Sequence, residues 1–468
     1  METPYKKLYD RLPATLQNLA VTAFSVLLDR QRYGGRFREF QALLEKSQWY
    51  DERQLEAYQN KQLQRIVAYA YQHVPYYRQV MDERGLKVAD IATSADLHKL
   101  PVLTKDIIRT RFADLLSDEF DLKTVARGNT SGTTGSPLEV CYDEDMIRIN
   151  YAMLDRQYRW ADTRLGRSGD KVAVIRGNVI VPLNQSKPPY WRYNYLHRQM
   201  LLSSFHLSQD NLPAYVAELR KFNPRVLDGY PSTLYVLAKY LKNKGETLPL
   251  HAVLSSSETL YDFQRETIEE SFACKVFDYF GAAERVLFAT ECDQHMGHHV
   301  CAEYGITELL DRDLKPVATG ETGTLVATSL HNIAMPLIRY VTNDMSALKA
   351  EKCSCGRGLP LMEDVATKAE DSLTLKDGRI ISPSVLTHPF KPLTTIEESQ
   401  IIQESLDLVV VKLVPGKGFS EEHTDALVHG LQDRLGAGIE IRIEIVDELE
   451  RSASGKFKWV ISRVALGI

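Results

Sequence analysis

The sequence has no long hydrophobic run. Its most apolar early stretch, Leu12–Leu28, is interrupted by Thr15, Gln17, Asn18, Thr22 and Ser25, whereas a membrane-spanning helix needs ~20 mostly apolar residues. The stretch also lacks a small-residue cleavage site. It reads as an amphipathic helix docked on the body, with a membrane-surface helix as the disfavoured alternative. Cysteine is scarce, six in 468 residues, which excludes a disulfide scaffold and, with no export signal in sight, favours the cytoplasm. Neither sign of charge dominates: 57 Lys and Arg face 62 Asp and Glu, so a nucleic acid partner is not expected. Internal repeats and low-complexity tracts are missing too.

What is present is an ordinary globular composition, 44% apolar and 25% charged. A chain this long exceeds the ~250–300 residues that one core serves, so two or three domains are expected. Residues 1–100 read mainly as helix, with Leu63, Ile66, Val67 and Tyr71 on one face and Thr104 as the cap of a later helix. From about 124 to 360 short apolar runs alternate with amphipathic helices. "KVAVIRG", "RVLDGY", "HAVLSSS" and "KVFDYFG" are strands separated by helical segments, the pattern of a mostly parallel sheet. "ETGTLVATSL" and "PLIRYVTND" follow as antiparallel strands. Beyond about 370 a hairpin around Asp377-Gly378, two strands and a helix form a small α+β unit. The expected fold is therefore α/β, with a large domain over 1–369 and a small one over 370–468.

The strongest single signal is "NTSGTTGSPLEV". Thr130, Ser131, Thr133 and Thr134 supply hydroxyls, and Gly132 and Gly135 let the backbone approach an anion closely. The Gly-Lys-Ser/Thr ending of a Walker loop is missing. A second signal is metal-like: Cys292, His299, Cys353 and Cys355 make a Cys3His set suited to tetrahedral Zn2+, with His295, His298 and Cys301 as rival ligands. The spacing implies a structural ion with no open catalytic position.

The Ser-Gly-Thr-Thr-Gly loop resembles the phosphate loop of the adenylate-forming superfamily. The order of motifs from roughly residue 50 to 463 is similar to the phenylacetate–CoA ligase-like branch, which includes capsule-biosynthesis adenylating proteins and deazaflavin-coenzyme adenylating synthetases. The resemblance implies that Thr130–Gly135 hold the phosphates of ATP and that Ser257 and Glu258 pack along adenine. "YFGAAERV" implies Tyr279 or Phe280 against the base, Gly281 and Ala282 beside it, and Glu284 on Mg2+. Ala283 replaces a usual hydroxyl residue. "RYVTND" implies Asp344 on the ribose hydroxyls, with Asn343 in place of glycine. "TKAEDSL" matches the hinge motif least well, with Lys368 for Arg and Glu370 for the first Asp. "RSASGKFKWV" implies a mobile catalytic Lys456, so Lys456, Glu284 and Thr130 form the expected catalytic set.

The implied reaction is attack of a carboxylic acid on the α-phosphate of ATP, releasing pyrophosphate. The acyl group then passes most readily to CoA, with a non-CoA acceptor in polysaccharide, lipid or coenzyme synthesis as the runner-up. A degenerate nucleotide-binding scaffold comes third. The aromatic residues Trp160, Tyr190, Trp191, Tyr193, Tyr195, Phe205 and Tyr230 are candidates to line the acid pocket. A monomer and a homodimer are equally compatible with the sequence.

Overall fold

In a computed structural model of the chain, the residues described are 8–129, 138–311, 313–365, 373–377, 379–381, 383–390, 392–393, 395–436, 438–449 and 459–464. The lead-in includes the helices α1 (Ala14–Arg32), α2 (Gly35–Ser47), α3 (Glu52–His73) and α4 (Pro75–Glu83). Asp51 starts α3 with a reciprocal cap: its carboxylate accepts the Gln54 amide at 2.8 Å while the Gln54 side chain accepts the Asp51 amide at 3.0 Å. The buried face of α3 is Leu55, Leu63, Ile66, Val67 and Ala70, with Tyr71 half-buried beside it. Thr104 caps the short helix Lys105–Thr110 as its position suggested.

The hairpin of β1 (Ala126–Asn129) and β2 (Glu139–Tyr142) flanks residues 130–137. Helix α5 (Glu144–Trp160) then leads into a nine-stranded sheet. Its strands are β3 (Val172–Arg176), β4 (Trp191–Asn194), β5 (Gln199–Ser203), β6 (Val226–Gly229), β7 (Ala252–Ser256), β8 (Lys275–Gly281), β9 (Phe288–Glu291), β10 (His298–Val300) and, later in the chain, β14 (Leu361–Met362). The order across the sheet is β14-β10-β9-β8-β7-β6-β3-β5-β4. The run β5-β3-β6-β7-β8 is parallel, and the outer pairings are antiparallel. Helices α6 (Leu212–Phe222), α7 (Pro231–Lys244) and α8 (Asp262–Phe272) make the crossovers that parallel pairing requires. Strands β11 (Gly305–Leu310), β12 (Gly323–Ser329) and β13 (Tyr340–Ser346) form a separate antiparallel sheet.

The C-terminal unit holds the expected hairpin, β15 (Leu373–Thr374) with β16 (Ile380–Ile381), then α9 (Pro383–Phe390), β17 (Ile396–Ser405), β18 (Leu408–Pro415), α10 (Glu421–Leu435), β19 (Glu440–Ile445) and β20 (Val460–Ser462). Its sheet runs β19-β18-β17-β20. Strand β17 was not apparent in the sequence because Ser399, Gln400 and Gln403 are buried in it among isoleucines. The unit rests on the large sheet: Arg379 donates to the Phe205 carbonyl at 2.8 Å, and the Arg434 guanidinium lies 5.8 Å from the Phe205 ring.

One charge pair ties the lead-in to the body. Arg156 on α5 meets Glu303 in a bidentate pair at 2.7 and 3.2 Å, with Ser47 also donating to the carboxylate and the Leu44 carbonyl accepting from Arg156 at 3.1 Å. Burial alone would raise the Glu303 pKa, but Arg156 and Ser47 hold it below the usual carboxylate range. Its stabilisation is thus full at neutral pH and is lost as pH falls through that depressed value. Glu303→Leu strands a buried guanidinium and should cost about 3–5 kcal/mol, read as a lower urea midpoint.

Candidate nucleotide site and metal cluster

A cavity of about 480 Å³ opens at the C-terminal ends of the parallel strands, where a sheet of this kind leaves space for ligands. The turn after β7 contributes Ser257 and Glu258, and β8 with its following turn contributes Tyr279, Phe280, Gly281, Ala282, Ala283 and Glu284. Asp344 reaches it from β13, and Thr387 and His388 reach it from the C-terminal unit. Asn129, the residue before Thr130, forms part of the wall. The phosphate-loop candidates Thr130, Ser131, Gly132, Thr133, Thr134 and Gly135 lie outside the described residues, as do Lys368, Glu370 and Lys456.

Local chemistry explains these positions. Ser257 has a left-handed backbone, φ 72°, which turns the chain sharply at the end of β7. The Glu258 carboxylate accepts the Ser232 amide at 3.1 Å, so it satisfies the first turn of α7 rather than capping the next helix. Tyr279 stacks on Phe288, with centroids 4.9 Å apart and planes 7° from parallel. Glu284 is buried and accepts the Tyr340 hydroxyl at 2.5 Å. The Ala283 carbonyl accepts the Tyr142 hydroxyl at 2.5 Å, and the Arg285 guanidinium lies 4.5 Å from the Tyr142 ring. The amide of Asp344 is held by the Thr342 hydroxyl at 3.1 Å.

The floor is a polar network that the sequence did not reveal. Asp278 accepts the Ser255 hydroxyl at 2.5 Å and meets His298 at 3.1 Å, and the other nitrogen of His298 lies 3.2 Å from Asp364. Glu291 accepts the Asp278 amide at 2.9 Å and pairs with Arg265 at 2.7 Å. Burial would lower the His298 pKa, but Asp278 and Asp364 hold it up at about 10. A further pair, Arg176 to Asp228 at 2.5 Å, ties the ends of β3 and β6 together. Isolated charges far apart in sequence give no motif, so only the fold could identify them.

Cys292, His299, Cys353 and Cys355 converge, with all their candidate ligand atoms within 4.8 Å of one another. The Cys292 and Cys353 sulfurs are 3.5 Å apart, and His299 Nε2 is 3.5 Å from the Cys355 sulfur. His299 Nδ1 faces the Leu359 carbonyl at 3.3 Å, which leaves Nε2 for a metal. Burial lowers the His299 pKa to about 4, so the ring is neutral, as a ligand must be. The donor types and their convergence fit a tetrahedral Zn2+ site. The rival ligands turn elsewhere: His298 to its carboxylates, His295 to Glu291 at 3.5 Å, and Cys301 to Arg156 at 3.6 Å.

Residues 373–463 match the family described as the CapK C-terminal domain. Over nearly its whole length the chain is similar to protein CapK of Staphylococcus aureus, 26% identical across 98% of this chain and 99% of that one. It is also similar to a phenylacetate–coenzyme A ligase of Thermus thermophilus, 24% identical across 87% of this chain and 96% of that protein. The fold matches a 2-hydroxyisobutyryl-CoA ligase bound to its acyl-AMP and CoA, with TM-score 0.57, 20% identity, and coverage of 88% of this chain and 91% of that one. The chain thus resembles CapK and the phenylacetate–CoA ligases along nearly its whole length, and it shares the fold of a CoA ligase solved with its acyl-AMP.

The aromatic residues considered for an acid pocket are mostly elsewhere. Tyr230 lines the cavity. Trp160 packs edge-on against His299 at 5.3 Å, Tyr190 and Trp191 fill the core beneath the sheet, and Phe205 belongs to the contact with the C-terminal unit. Tyr193 and Tyr195 stack on each other at the β4 edge. Large rings are recruited by any core, so their density in sequence carried no information about the pocket.

Proposed function

We propose that the chain activates a carboxylic acid with ATP to an acyl-adenylate, releases pyrophosphate, and transfers the acyl group to CoA. The observation that carries this reading is the convergence of Ser257–Glu258, Tyr279–Glu284 and Asp344 on one cavity from three separate strands. In this proposal Tyr279 or Phe280 faces adenine, Asp344 accepts the ribose hydroxyls, and the Thr130–Gly135 loop and Lys456 meet the phosphates. Glu284 would hold Mg2+, which supplies neutralisation where two anions must meet. Positioning and charge compensation then account for most of the barrier lowering. Residues 1–369 would form the ATP- and acid-binding domain and 370–468 a mobile domain that delivers Lys456.

The acid would sit against Asn150, Leu154, Asn178 and Tyr230. The wall is more polar than a purely aryl or fatty pocket requires, so hydroxylated acids belong in any substrate panel. The Zn2+ at Cys292, His299, Cys353 and Cys355 would be structural. A non-CoA acceptor is the second reading, favoured by the match to CapK across nearly the full length of both chains. Pyrophosphate release should be acid-dependent, and AMP release should rise with added CoA. Acid-dependent pyrophosphate release that ignores CoA would select the second reading. No release with any acid would remove both.

A further inference from the structure

Helix α1 is assembled inside out. Gln17, Asn18, Ser25 and Asp29 are buried, whereas Leu16, Leu19, Phe24, Val26 and Leu27 are between 40% and 61% exposed. The cause is its neighbour, β4, the edge strand of the nine-stranded sheet, whose outer main-chain groups need polar partners. Asn18 accepts the Tyr193 amide at 2.9 Å and Thr22 accepts the Tyr195 amide at 3.1 Å. Ser25 donates to Asn194 at 3.2 Å, and Asp29 pairs with Arg167 and meets the His197 ring, each at 2.8 Å. With the polar side spent on the sheet, Leu16, Leu19, Ala23 and Leu27 line up along the outer side at helical spacing.

We propose that this stripe docks the protein on an anionic lipid bilayer, with α1 lying in the plane of the interface. Among the described residues no helix is long and apolar enough to cross a membrane, so the surface can be lain on but not threaded. The segment Leu12–Leu28 carries no charged residue, and the charges at its ends are mainly basic. Arg11 and Arg30 are exposed, Arg32 follows, and Lys6 and Lys7 precede in the sequence, against Glu2, Asp10 and an Asp29 already paired with Arg167. This local excess of cations stands out in a chain whose net charge is -5, and it complements anionic headgroups. Tyr195, 59% exposed, is beside the helix, an amphipathic ring suited to headgroup depth. A second copy of the chain is a poorer occupant. Antiparallel pairing of two α1 helices would set Arg11 against Arg30, and parallel pairing would set each against itself.

The test mixes the full-length protein with vesicles of phosphatidylcholine alone or with phosphatidylglycerol added, and measures co-sedimentation. Binding is expected on the anionic vesicles and should weaken with salt. Leu19→Glu with Leu27→Glu should lower the partition coefficient by about tenfold or more, because both lost side chains are apolar anchors. The circular dichroism spectrum should not change. Leu19→Gln with Leu27→Gln, a milder exposed pair, repeats the comparison if the charged pair folds poorly. Arg11→Gln with Arg30→Gln should reduce the preference for anionic over neutral vesicles. Failure to bind either vesicle, or equal binding by wild type and both leucine pairs, overturns the proposal. So does a wild-type dimer that dissociates in those variants without any vesicle binding.

Discussion

Lys456→Ala is expected to lower acyl-adenylate formation by ~10²–10³-fold or more, the scale of losing a preorganised charge at a developing anion. A carboxylate and a triphosphate repel one another, and a flexible ammonium compensates that charge only while it reaches the α-phosphate. The same variant should still pass a supplied acyl-adenylate to its acceptor, because that step no longer brings two anions together. Three residues after Lys456 in the sequence the described chain resumes at Trp459. Trp459 is fully buried, donates to the Ser399 hydroxyl at 3.1 Å, and stands edge-on to Phe390 at 5.5 Å. Its carbonyl accepts the Ile401 amide at 2.7 Å, and β20 then runs parallel to β17. Removing the lysine amine should therefore leave the C-terminal unit folded. Measuring adenylation by pyrophosphate exchange and transfer by product formation from supplied acyl-adenylate separates the two. Equal losses in both would show that Lys456 does not act at the α-phosphate.

Cys353→Ser is expected to release one Zn2+ per chain and to lower the melting temperature by ~10 °C or more, since a structural zinc site contributes its binding free energy to folding. The four side chains come from the end of β9, from β10 and from the turn before β14, so the ion would hold the antiparallel margin of the main sheet together. That margin also carries Glu291 and His298, which support the cavity floor, so ATP affinity should fall with metal loss. Metal analysis of the purified protein, with thermal melts before and after strong chelation, checks both halves. A purified wild type that holds no zinc, or whose melting temperature does not change on chelation, would show that the thiols merely pack.

Much of the architecture was legible from periodicity. The strands of the parallel sheet are continuous apolar runs, and the helices between them have an apolar side, so each element called for the other. The Cys292, Cys353 and Cys355 thiols with the histidines between them also carried usable information, although which histidine faces the sulfurs depends on the pleat of β10 and not on spacing. The polar floor was hidden because Asp278, His298, Arg265 and Asp364 are individually unremarkable, and the fold alone brings them together. Helix α1 was half legible. Its two-sidedness is plain in the sequence, but the usual assumption that the apolar side turns inward fails against a strand edge that demands hydrogen bonds.

The shielding of β4 has a cost for any shortened form of the protein. A chain starting near Gly35 would keep every residue that lines the main cavity, yet it would carry a bare row of amide and carbonyl groups along one margin. Such a margin recruits strands from neighbouring molecules. Loss of catalytic material in that truncate would come from polymerisation, with turnover per soluble molecule unchanged.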